Sequence, residues 1–145
     1  MNETIRRFGY PATLVAEREH WVVLLRPAQP TLGSLILAAR SEARAFAELS
    51  PGAFAELGDV VAAIEDMLRA AVGYDKLNYL MLMMADPHVH FHVIPRYEGE
   101  RSAAGCTIAD AGWPKFPDLG SAVALDPARI EGLVAWLKPL WPSGR

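Results

Sequence analysis

Apolar residues recur along this chain in two rhythms. Leu14-Val15-Ala16-Glu17 and the run from His20 to Arg26 are short apolar stretches joined by a polar turn, and they predict two strands. Pro27, Pro30 and Gly33 interrupt the pattern, after which Ser34-Leu35-Ile36-Leu37-Ala38-Ala39 predicts a third, more buried strand. Ala43 to Leu49 reads as a short helix. Ser50-Pro51 opens the clearest helix, with serine suited to the N-cap and proline to the first helical position. Phe54, Leu57, Val61, Ile64, Leu68 and Ala71 follow at helical spacing, and Gly73 supplies the C-terminal stop. Leu77 to Met84 predicts a fourth strand and Val89 to Arg96 a fifth. The short link Ala85-Asp86-Pro87 suits an antiparallel pair. From Glu98 to Pro127 the rhythm is lost among glycines, prolines and Trp113, and loops this long tend to be functional or flexible. Asp126-Pro127 begins a final helix with Ile130, Leu133, Val134 and Leu137 on one face.

Grouped strands and segregated helices define the α+β class. The expectation is an antiparallel sheet of about five strands, one long helix after the third strand, and a C-terminal helix. Residues 1–145 read as one domain with a loop-rich segment over 98–145, and the length suffices to bury a core.

Composition narrows the function classes. A hydrophobic fraction of 52% with 21% charged residues is that of a globular chain. A net charge of −3 argues against a nucleic-acid binder, which needs a basic face, but leaves room for a small anionic ligand. Cys106 is the only cysteine, so no intramolecular disulfide can form; a reducing cytoplasm is expected, and the thiol is assigned no chemistry. No apolar run has the length of a membrane span, and the start, Met1 to Arg7, lacks the apolar block of a signal peptide.

One stretch calls for more than packing. Pro87-His88-Val89-His90-Phe91-His92-Val93-Ile94-Pro95 holds three of the chain's four histidines, alternating with apolar residues. On a strand, His88, His90 and His92 share one face while Val89, Phe91 and Val93 face a core. A neutral imidazole is a nucleophile near pH 7 and its protonated form is a general acid, so two close rings can divide those tasks, one attacking while the next hydrogen-bonds the departing atom. A phosphoryl centre is a fitting electrophile, since imidazolium donors also stabilise its equatorial oxygens. His90, flanked on both sides, is the nucleophile by position, His92 donates to the bridging atom, and His88 orients its neighbour. Zinc is the rival, because an i, i+2 histidine pair on a strand is good zinc geometry. It needs a further ligand, for which Asp86 and His20 are the candidates. His20, beside Trp21, otherwise reads as an ordinary strand-start residue.

His88-Val89-His90-Phe91-His92-Val93-Ile94 resembles the histidine triad motif, in which three histidines alternate with apolar residues and an apolar pair follows. Pro95-Arg96-Tyr97 is similar to the usual exit from that motif. Lys76-Leu77-Asn78-Tyr79 resembles a bacterial branch, and Gly33 with its strand resembles an earlier family strand. The resemblance spans about residues 12–97. It implies an α+β fold and a homodimer with joined sheets. It also implies a hydrolase or transferase acting at the α-phosphate of a nucleotide through a nucleotidyl-histidine intermediate; the expectation drawn from the residues and the resemblance together is a reaction through His90 with no cofactor and no metal. Nucleoside phosphoramidates, dinucleoside polyphosphates and adenylates are the implied substrates. His90 matches the nucleophile, His92 the residue that contacts phosphate and leaving group, and His88 the brace whose backbone carbonyl orients the nucleophile's ring.

Departures from the pattern affect the substrate more than the reaction. Ser34 stands where many members carry a fourth histidine. Met83-Met84 stands where related bacterial sequences have Gly-Asn, and a thioether cannot donate to phosphate. No ribose-binding acidic or amide residue is evident near the second strand, where Arg26 lies. Arg26, Arg96 and Arg101 are candidate phosphate cations, with Arg96 keeping the parity of the triad. Asn78 on the neighbouring strand is a candidate ligand contact. Gly112-Trp113-Pro114 reads as a packed lid anchor or a base-stacking cover. The departures leave open a nucleotide-binding or interaction protein with a degraded active site.

Overall fold

Alternate residues of the central strands feed two separate apolar layers, and this decides where the histidines go. The computed structural model describes residues 1–144. Its elements are helix α1 (Glu3–Arg7), strands β1 (Leu14–Glu17), β2 (Trp21–Leu25), β3 (Ala28–Gln29) and β4 (Leu35–Ala39), then helix α2 (Pro51–Val72). Strands β5 (Lys76–Leu80), β6 (His90–Arg96), β7 (Glu100–Ala103), β8 (Cys106–Ala109) and β9 (Val123–Ala124) follow, and helix α3 (Pro127–Leu137) comes last. The main sheet has five strands in the order β1-β2-β4-β6-β5, every neighbour antiparallel. The α+β expectation holds.

On one face Trp21, Val23, Leu25, Leu35, Leu37 and Val93 join Val60, Ile64, Met67 and Leu68 of α2. On the other, Val22, Leu24, Ile36 and Ala38 pack with Ile5 of α1, with Phe8 and Tyr10 at the margin. Both faces of β2 and β4 are therefore covered, which is why these strands read as unbroken apolar runs rather than alternating ones.

The helix ends follow their caps. The Ser50 hydroxyl accepts from the Ala53 N–H at 3.1 Å, and Gly73 closes α2 with φ 56°, in the left-handed region. Asn2 caps α1 by accepting from the Ile5 N–H at 2.9 Å, and donates to the carbonyls of Ala39 and Ser41, each at 2.9 Å. One side chain thus starts the helix and ties it to the end of β4.

Four sequence expectations are corrected. Ala43–Leu49 is no α-helix; only Phe46–Glu48 forms a 3₁₀ turn. The run is too short to nucleate a helix, and Leu49 and Ser50 are extended ahead of Pro51. The fourth strand stops at Leu80 instead of Met84, so the link to β6 is longer than Ala85-Asp86-Pro87. The fifth strand begins at His90. Val89 instead donates to the Ala43 carbonyl and accepts from the Ala39 N–H, both at 3.0 Å. The segment from Glu98 to Pro127 contains the hairpin β7–β8, whose turn residues Ala104 (φ 48°) and Gly105 (φ 76°) both take the positive φ of a type I′ turn. Further on, Gly112 lies so close to the Phe116 carbonyl that no side chain fits there.

Tyr97, fully buried, joins these parts. Its hydroxyl donates to the Ile108 carbonyl and accepts from the Leu32 N–H, both at 2.8 Å. Tyr97→Phe leaves both groups buried without that partner. It should lower stability by about 1–3 kcal/mol, read as a shifted urea midpoint at unchanged slope.

Candidate active site

Strand β6 lies between β4 and β5, with Ala38 opposite His90 and Ile36 opposite His92. Cross-strand partners share a face, so both imidazoles emerge on the side of α1 rather than α2. Their ring centroids are 5.2 Å apart. Phe8, at the end of α1, sits 5.5 Å from the His90 ring and 5.9 Å from that of His92. The pocket here, of about 240 Å³, is lined by His90, His92, Arg26, Phe8 and residues Leu82–Asp86. His90 is 1% and His92 8% exposed. The two largest cavities, of about 700 and 720 Å³, contain no histidine, and a third, of about 420 Å³, is lined by His20.

Hydrogen bonding assigns the ring protons. His90 Nδ1 lies 2.7 Å from the His88 carbonyl oxygen, which can only accept. The Nδ1 of His90 therefore carries a proton, and in the neutral ring Nε2 keeps its lone pair. His92 is the opposite case. Its Nδ1 lies 3.2 Å from Arg26 Nε, which can only donate. The Nδ1 of His92 accepts, so its proton sits on Nε2. Burial first, then the charge of Arg26 and the adjacent His90, lower the His92 pKa from 6.5 to about 4. The site thus offers one bare nitrogen and one N–H, on adjacent rings of opposite tautomer.

His88 leaves the row predicted for it. It precedes the regular strand and does not line the pocket. Its Nδ1 meets the Thr4 hydroxyl at 2.8 Å and its Nε2 the Glu42 carboxylate at 2.9 Å. With both nitrogens occupied, His88 is not placed to join the other two rings on one ion. His20, the other metal candidate, lies apart with Glu19 and Glu56, the one trio of donors within 4.8 Å of one another among the described residues.

The remaining candidates divide. Arg26 is at the site: Nε reaches His92, and Nη1 donates to the Ala28 carbonyl at 2.5 Å. Burial lowers its pKa, yet Arg26 keeps its proton and remains a donor. Asp86 lines the pocket and pairs with Arg7 at 3.3 Å. Met83 also lines it, with a φ of 50° that strains a non-glycine residue, while Met84 is 91% exposed. Ser34 is not brought to the pocket; fully buried, it donates to the Thr31 carbonyl at 2.8 Å in the turn before β4. Arg96 keeps the parity of the triad, but its guanidinium binds Asp110 at 2.7 Å, Asn78 Oδ1 at 2.8 Å and the Lys115 carbonyl at 2.7 Å. Arg96 and Asn78 therefore serve the clamp between β6 and residues 110–115 and do not line the histidine pocket. Arg101 stacks on Tyr97 and caps the Val72 carbonyl. Trp113 lies beside β5 and Arg96.

The sequence reading did not pick out Phe8 at the pocket, nor Thr4 and Glu42, which hold His88. The cap Asn2, followed by apolar Ile5 and Phe8 at helical spacing, was a legible signal for α1. Nothing local to Glu42 marks it, since its partner is far along the chain.

The chain is thus an α+β protein with two buried imidazoles of opposite tautomer facing a small pocket. Solved structures share its architecture. A histidine triad protein from Marinobacter aquaeolei VT8 superposes with a TM-score of 0.73 at 25% identity, over 94% of this chain and 93% of that one. One from Sinorhizobium meliloti 1021 gives a TM-score of 0.73 at 23% identity, covering 96% and 94%. A histidine triad nucleotide-binding protein from Sulfolobus tokodaii gives 0.66 at 21% identity, covering 94% and 88%. No family model and no curated protein matches the sequence. The chain has the histidine triad fold over nearly its whole length.

The tautomer of His92 has a pH signature. The unfolded ring takes a proton as pH falls through 6.5, the folded one only near 4. Between those values the unfolded state binds more protons, so acidification removes stability, by at most about 3 kcal/mol. His92→Gln cannot titrate. Urea unfolding from pH 7 to pH 4 should show a smaller acid loss in the variant than in the parent; parallel losses would refute the assignment.

Proposed function

We propose that this protein is a nucleotidyl hydrolase or transferase working at the α-phosphate of a nucleotide, with His90 as nucleophile. The observation that carries the reading is the pairing of a bare His90 Nε2 with a protonated His92 Nε2 at one pocket. The histidine triad fold supports a nucleotide ligand, and a small pocket with Arg26 beside it suits a phosphate.

In the first step the His90 Nε2 lone pair attacks phosphorus. A P–N bond forms, and the bond from phosphorus to the leaving oxygen or nitrogen breaks with its electron pair going to that atom. The His92 N–H hydrogen-bonds the departing atom, and the Arg26 cation offsets charge on the phosphoryl oxygens. Water then attacks phosphorus, the P–N bond breaks, His90 regains its lone pair, and a water proton passes to solvent. With a pKa near 4 the His92 ring is neutral at pH 7, so it hydrogen-bonds the leaving group rather than handing over a proton. That favours leaving groups stable as anions, such as the phosphate chain of a dinucleoside polyphosphate or the carboxylate of an acyl adenylate, over the amine of a phosphoramidate. No cofactor enters this scheme.

The same reading takes the protein as a cytoplasmic homodimer with no nucleic-acid or membrane partner. Support for the dimer comes from β5, an edge strand of the main sheet that leaves one side unpaired within the chain. No helix among the described residues is long and apolar enough to cross a membrane.

A second reading, nucleotide binding without turnover, is favoured by the deep burial of His90 and by Met83 and Met84 where a donor would help. One experiment separates the two. Intact-protein mass spectrometry after mixing with diadenosine polyphosphate or adenosine phosphoramidate should find an added AMP mass on His90, and AMP release. His90→Ala should lose both while keeping its fold. Turnover that survives in His90→Ala would remove the mechanism, and binding without adduct or release would leave the second reading.

A further inference from the structure

We propose that Thr4 and Glu42 are positioning residues that act on His90 through His88. The inference rests on the reading of His90 as nucleophile, but its geometry stands apart from any substrate.

His88 is held from both sides. The Thr4 hydroxyl oxygen meets His88 Nδ1 at 2.8 Å and accepts from the His88 backbone N–H at 3.3 Å. The Glu42 carboxylate accepts from His88 Nε2 at 2.9 Å. In the neutral ring the proton lies on Nε2, facing the carboxylate, and Nδ1 receives the Thr4 hydroxyl proton. Next to Glu42, the Ala43 carbonyl accepts from the Val89 N–H at 3.0 Å. The peptide joining His88 to Val89 is planar and trans, so its N–H and its C=O point in opposite directions. Fixing the Val89 N–H on Ala43 therefore aims the His88 carbonyl the other way, where it takes the His90 Nδ1 proton at 2.7 Å.

Residues 42 and 43 thus clasp residues 88 and 89 at two points, one through a side chain and one through the backbone. Thr4 adds a third point from α1. Only the Thr4 and Glu42 contacts depend on side chains, and they belong to two elements distant in sequence from the motif. The two differ in burial. Thr4 is 1% exposed, whereas the Glu42 side chain is 79% exposed. An exposed carboxylate contributes little to stability. A purely structural role for Glu42 therefore predicts almost no consequence of its removal, whereas a positioning role predicts a change at His90.

The test uses the full chain with Thr4→Val, Thr4→Ser, Glu42→Ala and Glu42→Gln. Imidazole nitrogen NMR reads the tautomer of His90 directly. In the parent, His90 should be a single tautomer with its proton on Nδ1. In Thr4→Val and Glu42→Ala it should become a mixture, while Thr4→Ser and Glu42→Gln, which keep an oxygen in place, should return most of the parent spectrum. Against a diadenosine polyphosphate, kcat should fall roughly 10- to 100-fold in the first pair with KM changed less than about 3-fold, and Thr4→Ser should restore kcat. An unchanged His90 tautomer in folded Glu42→Ala and Thr4→Val would overturn the proposal. So would a loss confined to KM. If the parent turns over no nucleotide, the function proposed above fails, and the spectra alone uphold or overturn the positioning roles.

Discussion

A backbone carbonyl accepts a hydrogen bond and never donates one. At His88 that limit is placed 2.7 Å from a ring nitrogen, and the chemistry of the pocket follows from it. The carbonyl is free for the ring because regular pairing starts at His90, one residue later than the apolar alternation indicates. Val89 turns its own N–H and C=O to Ala43 and Ala39. Had the ladder continued back through His88, its carbonyl would be a candidate for strand pairing and His90 would lose its partner. The strand boundary thus sets which His90 nitrogen carries the proton.

Arg26 imposes the complementary constraint on the next ring of the same face. It is a permanent donor, and it stands where His92 could otherwise be protonated. Burial beneath Phe8 and beside the 82–86 segment reinforces both constraints by keeping water from competing for the ring nitrogens. Desolvation has an opposing consequence. The two rings are among the least exposed polar groups of the molecule, so access of any ligand to their nitrogens depends on adjustment of the pocket walls. Phe8 and residues Leu82–Met84 are the walls that line it.

The sequence disclosed the framework because burial on two faces leaves unbroken apolar runs, as in β2 and β4, and because Ser50-Pro51 and Gly73 mark the ends of α2. It disclosed the two rings at the pocket through strict alternation in β6. What it hid is tertiary. Arg96 has the right parity, but parity cannot reveal Asp110, which takes its guanidinium. Ser34 follows a glycine as the family pattern suggests, yet its hydroxyl closes a local turn with Thr31. The hairpin β7–β8 was missed because Ala104 occupies a left-handed position usually marked by asparagine, aspartate or glycine. Thr4 and Glu42 touch His88 in space but lie far from it along the chain, and no local pattern encodes such contacts.

Opposite tautomers on His90 and His92 are the centre of this account, and neutron diffraction from deuterated crystals grown near pH 7 observes them directly. Deuterium should appear on Nδ1 of His90 and on Nε2 of His92, with none on His90 Nε2 or His92 Nδ1. Deuterium on His92 Nδ1, or a His90 ring whose Nε2 carries it, would contradict the account.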